Sequence, residues 1–169
     1  IHRLHDQEKY DCGENQESER GVDEIADHDA LQTDGGKIRL PADHAETRDY
    51  RLAARRYAAA AVANKEDAAA YFGRGMALSK LGRDEEAMKS LTRATELDPH
   101  LPDAHVDLGV LLARRNLPRS AEDHYRLALR DDPRHIQALN NLGGLLSAGG
   151  NLDEAATRFE TAVRLDPQN

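Results

Sequence analysis

Aspartate–proline pairs recur every 34 residues in this chain, at Asp98-Pro99, Asp132-Pro133 and Asp166-Pro167. The same step separates Gly75, Gly109 and Gly143; Ala87, Ala121 and Ala155; and Ala94, Ala128 and Ala162. A further column is large and apolar: Leu91, Tyr125 and Phe159. Self-similarity at one fixed period restricts a chain to a repeat architecture, in which each unit buries its apolar face against its neighbours. In the third unit Ile136, Leu139, Leu142, Leu145 and Leu146 follow helical spacing, and Gly149-Gly150 interrupts them. Asn151 is the expected N-cap of a second helix, with Asp153 and Glu154 in its first turn, where the helix dipole favours acids. Ala155, Phe159, Ala162 and Val163 supply the second stripe and Pro167 ends it. Pro118 falls near a first helical position, where its missing N–H costs little. Each unit therefore reads as helix–turn–helix, with expected hairpins at 68–99, 102–133 and 136–167, and the fold class is all-α. The small Gly and Ala columns are expected to let the two helices of a hairpin approach closely. Leu91, Tyr125 and Phe159 are then expected to fill the space between hairpins.

The pattern resembles the tetratricopeptide repeat. Its signature of eight semi-fixed positions is carried by Tyr71, Gly75, Leu78, Ala87, Leu91, Ala94 and Pro99 in residues 68–101. Residues 102–135 carry it through Leu108, Gly109, Leu112, Ala121, Tyr125, Ala128 and Pro133. Residues 136–169 match throughout, through Leu139, Leu142, Gly143, Leu146, Ala155, Phe159, Ala162 and Pro167. The first unit departs at Arg74 and the second at His105. The resemblance implies hairpins stacked in a right-handed α-solenoid. It is specific for fold and weak for function, because such repeats serve many unrelated systems.

Upstream the pattern decays. Ala53, Tyr57 and Ala60 keep the register of a degenerate unit over 37–67, but Pro41 stands where Gly is wanted and Lys65 replaces the Pro. A helix over about 46–63 is expected there as an N-terminal cap. Residues 1–40 hold five basic and eleven acidic side chains and few large apolar ones. Low hydrophobicity with high net charge does not repay the entropy of ordering, so 1–36 reads as an extended or disordered acidic arm. No capping helix follows the third unit. Its apolar face is expected to be covered by chain continuing past Asn169 or by a partner.

The composition excludes several functions. A formal net charge of −8 argues against sequence-independent nucleic-acid binding, which needs a basic face. No apolar stretch reaches the roughly 20 residues that span a bilayer, so direct membrane insertion is not expected. One cysteine, Cys12, excludes an intramolecular disulfide and a multi-cysteine zinc site. The eight histidines include no metalloprotease-type helical pair, and His2, His5, Asp6 and Cys12 lie in the segment least suited to fixed coordination. His105 and His124 read as packing or surface residues. Nucleophile elbows and phosphate-binding loops are absent, so no catalytic residue, cofactor or metal is expected.

The resemblance implies a concave groove lined by the first helix of each hairpin. The side chains that would face it are Phe72, Met76 and Lys80; Asp103, Val106, Asp107, Val110 and Arg114; and Gln137, Asn140 and Asn141. Phe72, Met76, Val106 and Val110 would form an apolar patch, with Asp103, Asp107 and Lys80 around it. That combination favours a ligand with an apolar face and mixed or basic flanks. Family members that bind acidic chaperone C-termini hold them with a Lys and Asn clamp. Phe72 and Met76 occupy first-unit positions of that clamp, so it is absent. Asn141 matches the peptide-holding Asn in the repeats of O-linked N-acetylglucosamine transferases; Asp107 and Gly73 stand at that position in the other units.

The expected function is a non-catalytic protein–protein interaction module or assembly adaptor that takes a partner peptide or helix. The alternative is a recruiting or regulatory arm of a larger enzyme, such as a glycosyltransferase or sulfotransferase, with its catalytic part outside this sequence. The Ala- and Arg-rich repeats suggest a high-GC bacterial coding sequence. The compartment stays open between cytoplasm and periplasm, with cytoplasm favoured.

Overall fold

The structure, a computed structural model, describes residues 33–34, 37–38 and 44–166. Most of the acidic arm therefore lies outside the described residues, as do the His2, His5, Asp6 and Cys12 group and Pro167. In the unit over residues 1–39, Thr33–Asp34 (β1) pairs antiparallel with Lys37–Ile38 (β2), Thr33 opposite Ile38 and Asp34 opposite Lys37. The second unit, residues 40–169, is helical. Its elements are α1 (His44–Ala63), α2 (Ala68–Lys80), α3 (Asp84–Leu97), α4 (Pro102–Arg114), α5 (Pro118–Asp131), α6 (Ile136–Ala148) and α7 (Leu152–Leu165). Helices α2–α3, α4–α5 and α6–α7 form three hairpins stacked in sequence order, and α1 packs along α2. This is an all-α solenoid.

Local chemistry sets each hairpin. Asp67 caps α2 by accepting from the Ala70 N–H at 3.0 Å. Pro102 and Pro118 open α4 and α5, where a missing donor is harmless. The turns between paired helices pass through one left-handed residue each: Gly82 (φ 71°), Asn116 (φ 60°) and Gly150 (φ 83°). These form a further column at period 34. After each, the next N–H reaches back across the turn, Arg83 to the Leu78 carbonyl, Leu117 to Leu112 and Asn151 to Leu146, which is a Schellman closure. Between hairpins, Asp98 and Asp132 each accept from the N–H two residues on, at 2.9 and 3.0 Å, and so hold the Asp-Pro turns. Asn151 stands at the N-cap position of α7, but its side chain does not cap; Nδ2 donates to Glu154 Oε2 at 3.1 Å.

Leu91 and Tyr125 fill the space between hairpins as expected, and the packing adds a second contact. Leu91, Tyr125 and Phe159 lie over the glycine of their own hairpin before they reach any neighbour. A Cβ at Gly75 would fall 2.6 Å from Leu91 Cγ, and one at Gly143 would fall 2.8 Å from the Phe159 ring. A Cβ at Gly109 would overlap the Tyr125 ring. Glycine is needed there for close approach of a bulky side chain, not for helix–helix contact alone. Tyr125 then joins Ala138, Leu142 and Leu146 of α6 in one core cluster, while Leu91 joins Ala104, Leu108 and Leu111 of α4 in another. Helix α1 uses the same device in reverse: Tyr57 lies over Gly73 of α2, where an added Cβ would be 2.5 Å from the ring. The helix expected over about 46–63 thus runs from His44 to Ala63 and buries Ala54 and Ala61.

Candidate functional site

The first helices α2, α4 and α6 carry the side chains singled out from the sequence. On α2, Met76 is 41% exposed, Phe72 is half-buried against the core cluster of Leu78 and Leu91, and Lys80 is exposed at the helix end. On α4, Asp103 is exposed, Asp107 and Val110 are half-buried, and Arg114 is exposed. Val106 corrects the expected patch. It is 1% exposed and packs with Leu142 and Ala138, so it offers no surface beside Met76. Arg114 is turned toward the start of α3, with Nη1 3.5 Å from Asp84 Oδ1. On α6, Gln137 is exposed and Asn140 and Asn141 are half-buried. The Asn141 Nδ2 is shut off from solvent with no hydrogen-bond acceptor in reach.

Asp107 is the electrostatic centre of this face. Removal from water raises its pKa, and the Asp103 carboxylate adds to the rise, while Lys80 and His135 oppose it. It makes no hydrogen bond or ion pair among the described residues.

Two histidine arrangements were not legible as sites. His135 is the N-cap of α6: its Nδ1 accepts from the Ala138 N–H at 3.3 Å. The ring proton therefore sits on Nε2, which donates to Asp103 Oδ1 at 2.9 Å and ties α6 to α4. The signal lay in the column Asp67, Leu101, His135, the residues before each first helix. Inside the second hairpin, His105 (α4) and His124 (α5) meet Nδ1 to Nδ1 at 3.0 Å. His105 Nε2 lies 3.2 Å from the Pro99 carbonyl and donates to it, so its Nδ1 accepts and His124 donates. Burial pushes both rings toward the neutral form, His124 down to about 4 with His105 contributing. The pair fills the places held by Tyr71 and Ser90 in the first hairpin and Leu139 and Arg158 in the third. Among the described residues no three His, Cys, Asp or Glu side chains converge as metal ligands, and no helix is long and apolar enough to cross a membrane.

Known proteins place this architecture. The chain is 37% identical over 90 residues to the type IV pilus assembly protein PilF of Pseudomonas aeruginosa, covering 53% of this chain and 36% of PilF. It thus spans about a third of that relative's length. The crystal structure of MamA superposes with a TM-score of 0.66 at 20% identity, over 78% of this chain and 77% of MamA. The first repeat domain of Spaghetti (RPAP3), solved with the HSP90 peptide SRMEEVD, superposes with a TM-score of 0.58 at 24% identity, over 60% of this chain and 81% of that one. These two structures establish the fold. The tetratricopeptide repeat family model matches residues 43–102 and 103–169, and with the hairpins, glycine seats and Asp-Pro turns described above, the chain belongs to the tetratricopeptide repeat family.

Proposed function

We propose that the α2–α4–α6 face binds a partner segment with an apolar side chain flanked by basic ones, and that the protein acts as a non-catalytic assembly adaptor. The observation that carries this reading is the pairing of exposed Met76 with the unpaired, half-buried Asp107 on adjacent first helices. Neither is explained by packing. Val110 and Phe72 supply further apolar edge, and Lys80, Asp103, Gln137, Asn140 and Asn141 supply polar rim. The RPAP3 domain is solved with an acidic peptide, whereas Asp103 and Asp107 on this face favour basic flanks. The assembly role draws support from the likeness to PilF.

Two synthetic peptides with the same apolar residues, one flanked by Lys and Arg and one by Asp and Glu, test the reading by fluorescence anisotropy. The basic peptide is expected to bind, and Met76→Asp or Asp107→Lys to weaken it about tenfold or more. Preference for the acidic peptide, or indifference to both substitutions, would overturn it. A second reading, a recruiting arm of a larger enzyme such as a glycosyltransferase, rests on the greater length of the curated relatives. A reading frame that encodes a catalytic domain in line with residues 1–169 would favour it.

A further inference from the structure

The outward face of α7 has no use in the reading above. Leu152 (64% exposed), Ala156, Phe159 (38%) and Val163 (53%) form one apolar stripe at helical spacing. At the repeat position of Phe159, Leu91 in α3 and Tyr125 in α5 are 0% and 3% exposed, because α4 and α6 cover them. No helix among the described residues covers the stripe on α7.

We infer that this stripe is a dimer interface, filled by α7 of a second copy lying antiparallel. The argument is self-complementarity. A two-fold axis lying between the two helices, level with the Thr157–Arg158 link, sets Leu152 opposite Val163 of the second copy. It sets Ala156 opposite Phe159 of the second copy, so that each ring enters the gap left by a small residue. The charges fit the same symmetry. Asp153 and Arg164 lie along one flank of the stripe at opposite ends, and neither forms an ion pair among the described residues. Reversing the second helix brings each Asp153 beside the other copy's Arg164, giving two equivalent pairs. A parallel partner would set like charges side by side. Glu160 is the one group that meets its own image across the axis, a modest penalty at the solvated rim. One helix pair buries less than a standard interface, so a dissociation constant in the range of about 10–100 μM is expected.

Sedimentation equilibrium of residues 1–169 from about 1 to 500 μM tests this. The mass is expected to rise from 18.7 kDa and stop at twice that value, since a two-fold contact closes on itself. Val163→Glu should weaken association at least tenfold. Asp153→Arg or Arg164→Asp alone should weaken it several-fold, and the double variant should restore it. Circular dichroism checks that each variant keeps its helicity; both flank residues are exposed, so only the small cost of opposing the helix dipole is expected. A monomer throughout, growth beyond the dimer, indifference to Val163→Glu, or failure of the double swap to restore association would each overturn the inference. Binding of the basic peptide is a separate readout, because Met76 and Asp107 lie on other helices. A chain that dimerises without binding that peptide sinks only the function proposed above.

Discussion

The second and third hairpins share the signature positions of the repeat and differ in what surrounds them. Tyr125 and Phe159 occupy the same column, each over a glycine of its own hairpin. Tyr125 is 3% exposed and Phe159 is 38% exposed. The difference is supplied by α6, which covers α5. In a stack of this kind the energy of a side chain is therefore divided between a seat inside its own unit and a cover from the next. The two hairpins separate these contributions within one molecule.

The sharpest test of that division is truncation. Tyr125→Ala should cost about 3–5 kcal/mol, since it empties both seat and cover. Phe159→Ala should cost less than half as much, because one side of the ring already faces solvent. Urea denaturation followed by circular dichroism checks both; equal costs would mean that the cover contributes nothing.

The second test is pH. The third hairpin has Leu139 and Arg158 where the second has His105 and His124. Both rings are held neutral in the folded state, so the unfolded chain takes up protons first. Stability is then complete above the ordinary histidine range near 6.5 and falls as pH drops toward about 4. The loss should be on the order of 2 kcal/mol, and His105→Leu with His124→Leu should flatten that part of the profile. An unchanged slope in the double variant would place the acid sensitivity elsewhere.

Overpacking probes the helix contact itself. Ala121→Leu and Ala155→Leu should each cost about 1–3 kcal/mol, because both alanines are buried in both hairpins. Ala113 is half-buried against the α4–α6 cluster, so Ala113→Leu should be smaller but not silent. Thermal melts of the three variants rank them.

The smallest effect concerns the turns. Asn116→Gly relieves a left-handed asparagine and should stabilise by a few tenths of a kcal/mol, whereas Gly150→Ala should destabilise by about 1 kcal/mol. A Cβ at Gly150 meets nothing within 4 Å, so backbone strain alone would be measured. Opposite signs in the two melts are the expected result.

The hairpins were legible because their determinants are local and periodic: glycine and alanine columns, Asp-Pro turns, and apolar residues at helical spacing. What the sequence hid depends on three-dimensional neighbours. Val106 shares the helix of Val110, and only the approach of α6 decides that the first is sealed and the second is an edge. The inward seat of Leu91, Tyr125 and Phe159 follows from contacts sixteen residues apart, which the column alone does not orient. The His135 cap needed the tautomer set by Asp103. Asn116 could have been found earlier, since it stands between Gly82 and Gly150 at the same period. The polar rim of the candidate face was readable as a set of positions, but not the missing partner of Asp107.

The cover that α4 gives α3 and the cover that α6 gives α5 are interchangeable in kind. Ala104, Leu108 and Leu111 meet the first, and Ala138, Leu142 and Leu145 stand at the same three places in the second. The heritable unit of change in this protein is therefore one hairpin. Excising residues 102–135 would bring α6 onto α3 with its alanine and leucines in register, and would remove the acid-sensitive histidine pair and Asp107 in a single step. Duplicating the same segment would lengthen the array and repeat the carboxylate along it. Length, and with it the number of carboxylates along the array, can thus change by whole-unit gain or loss, without passing through a chain that has lost its core.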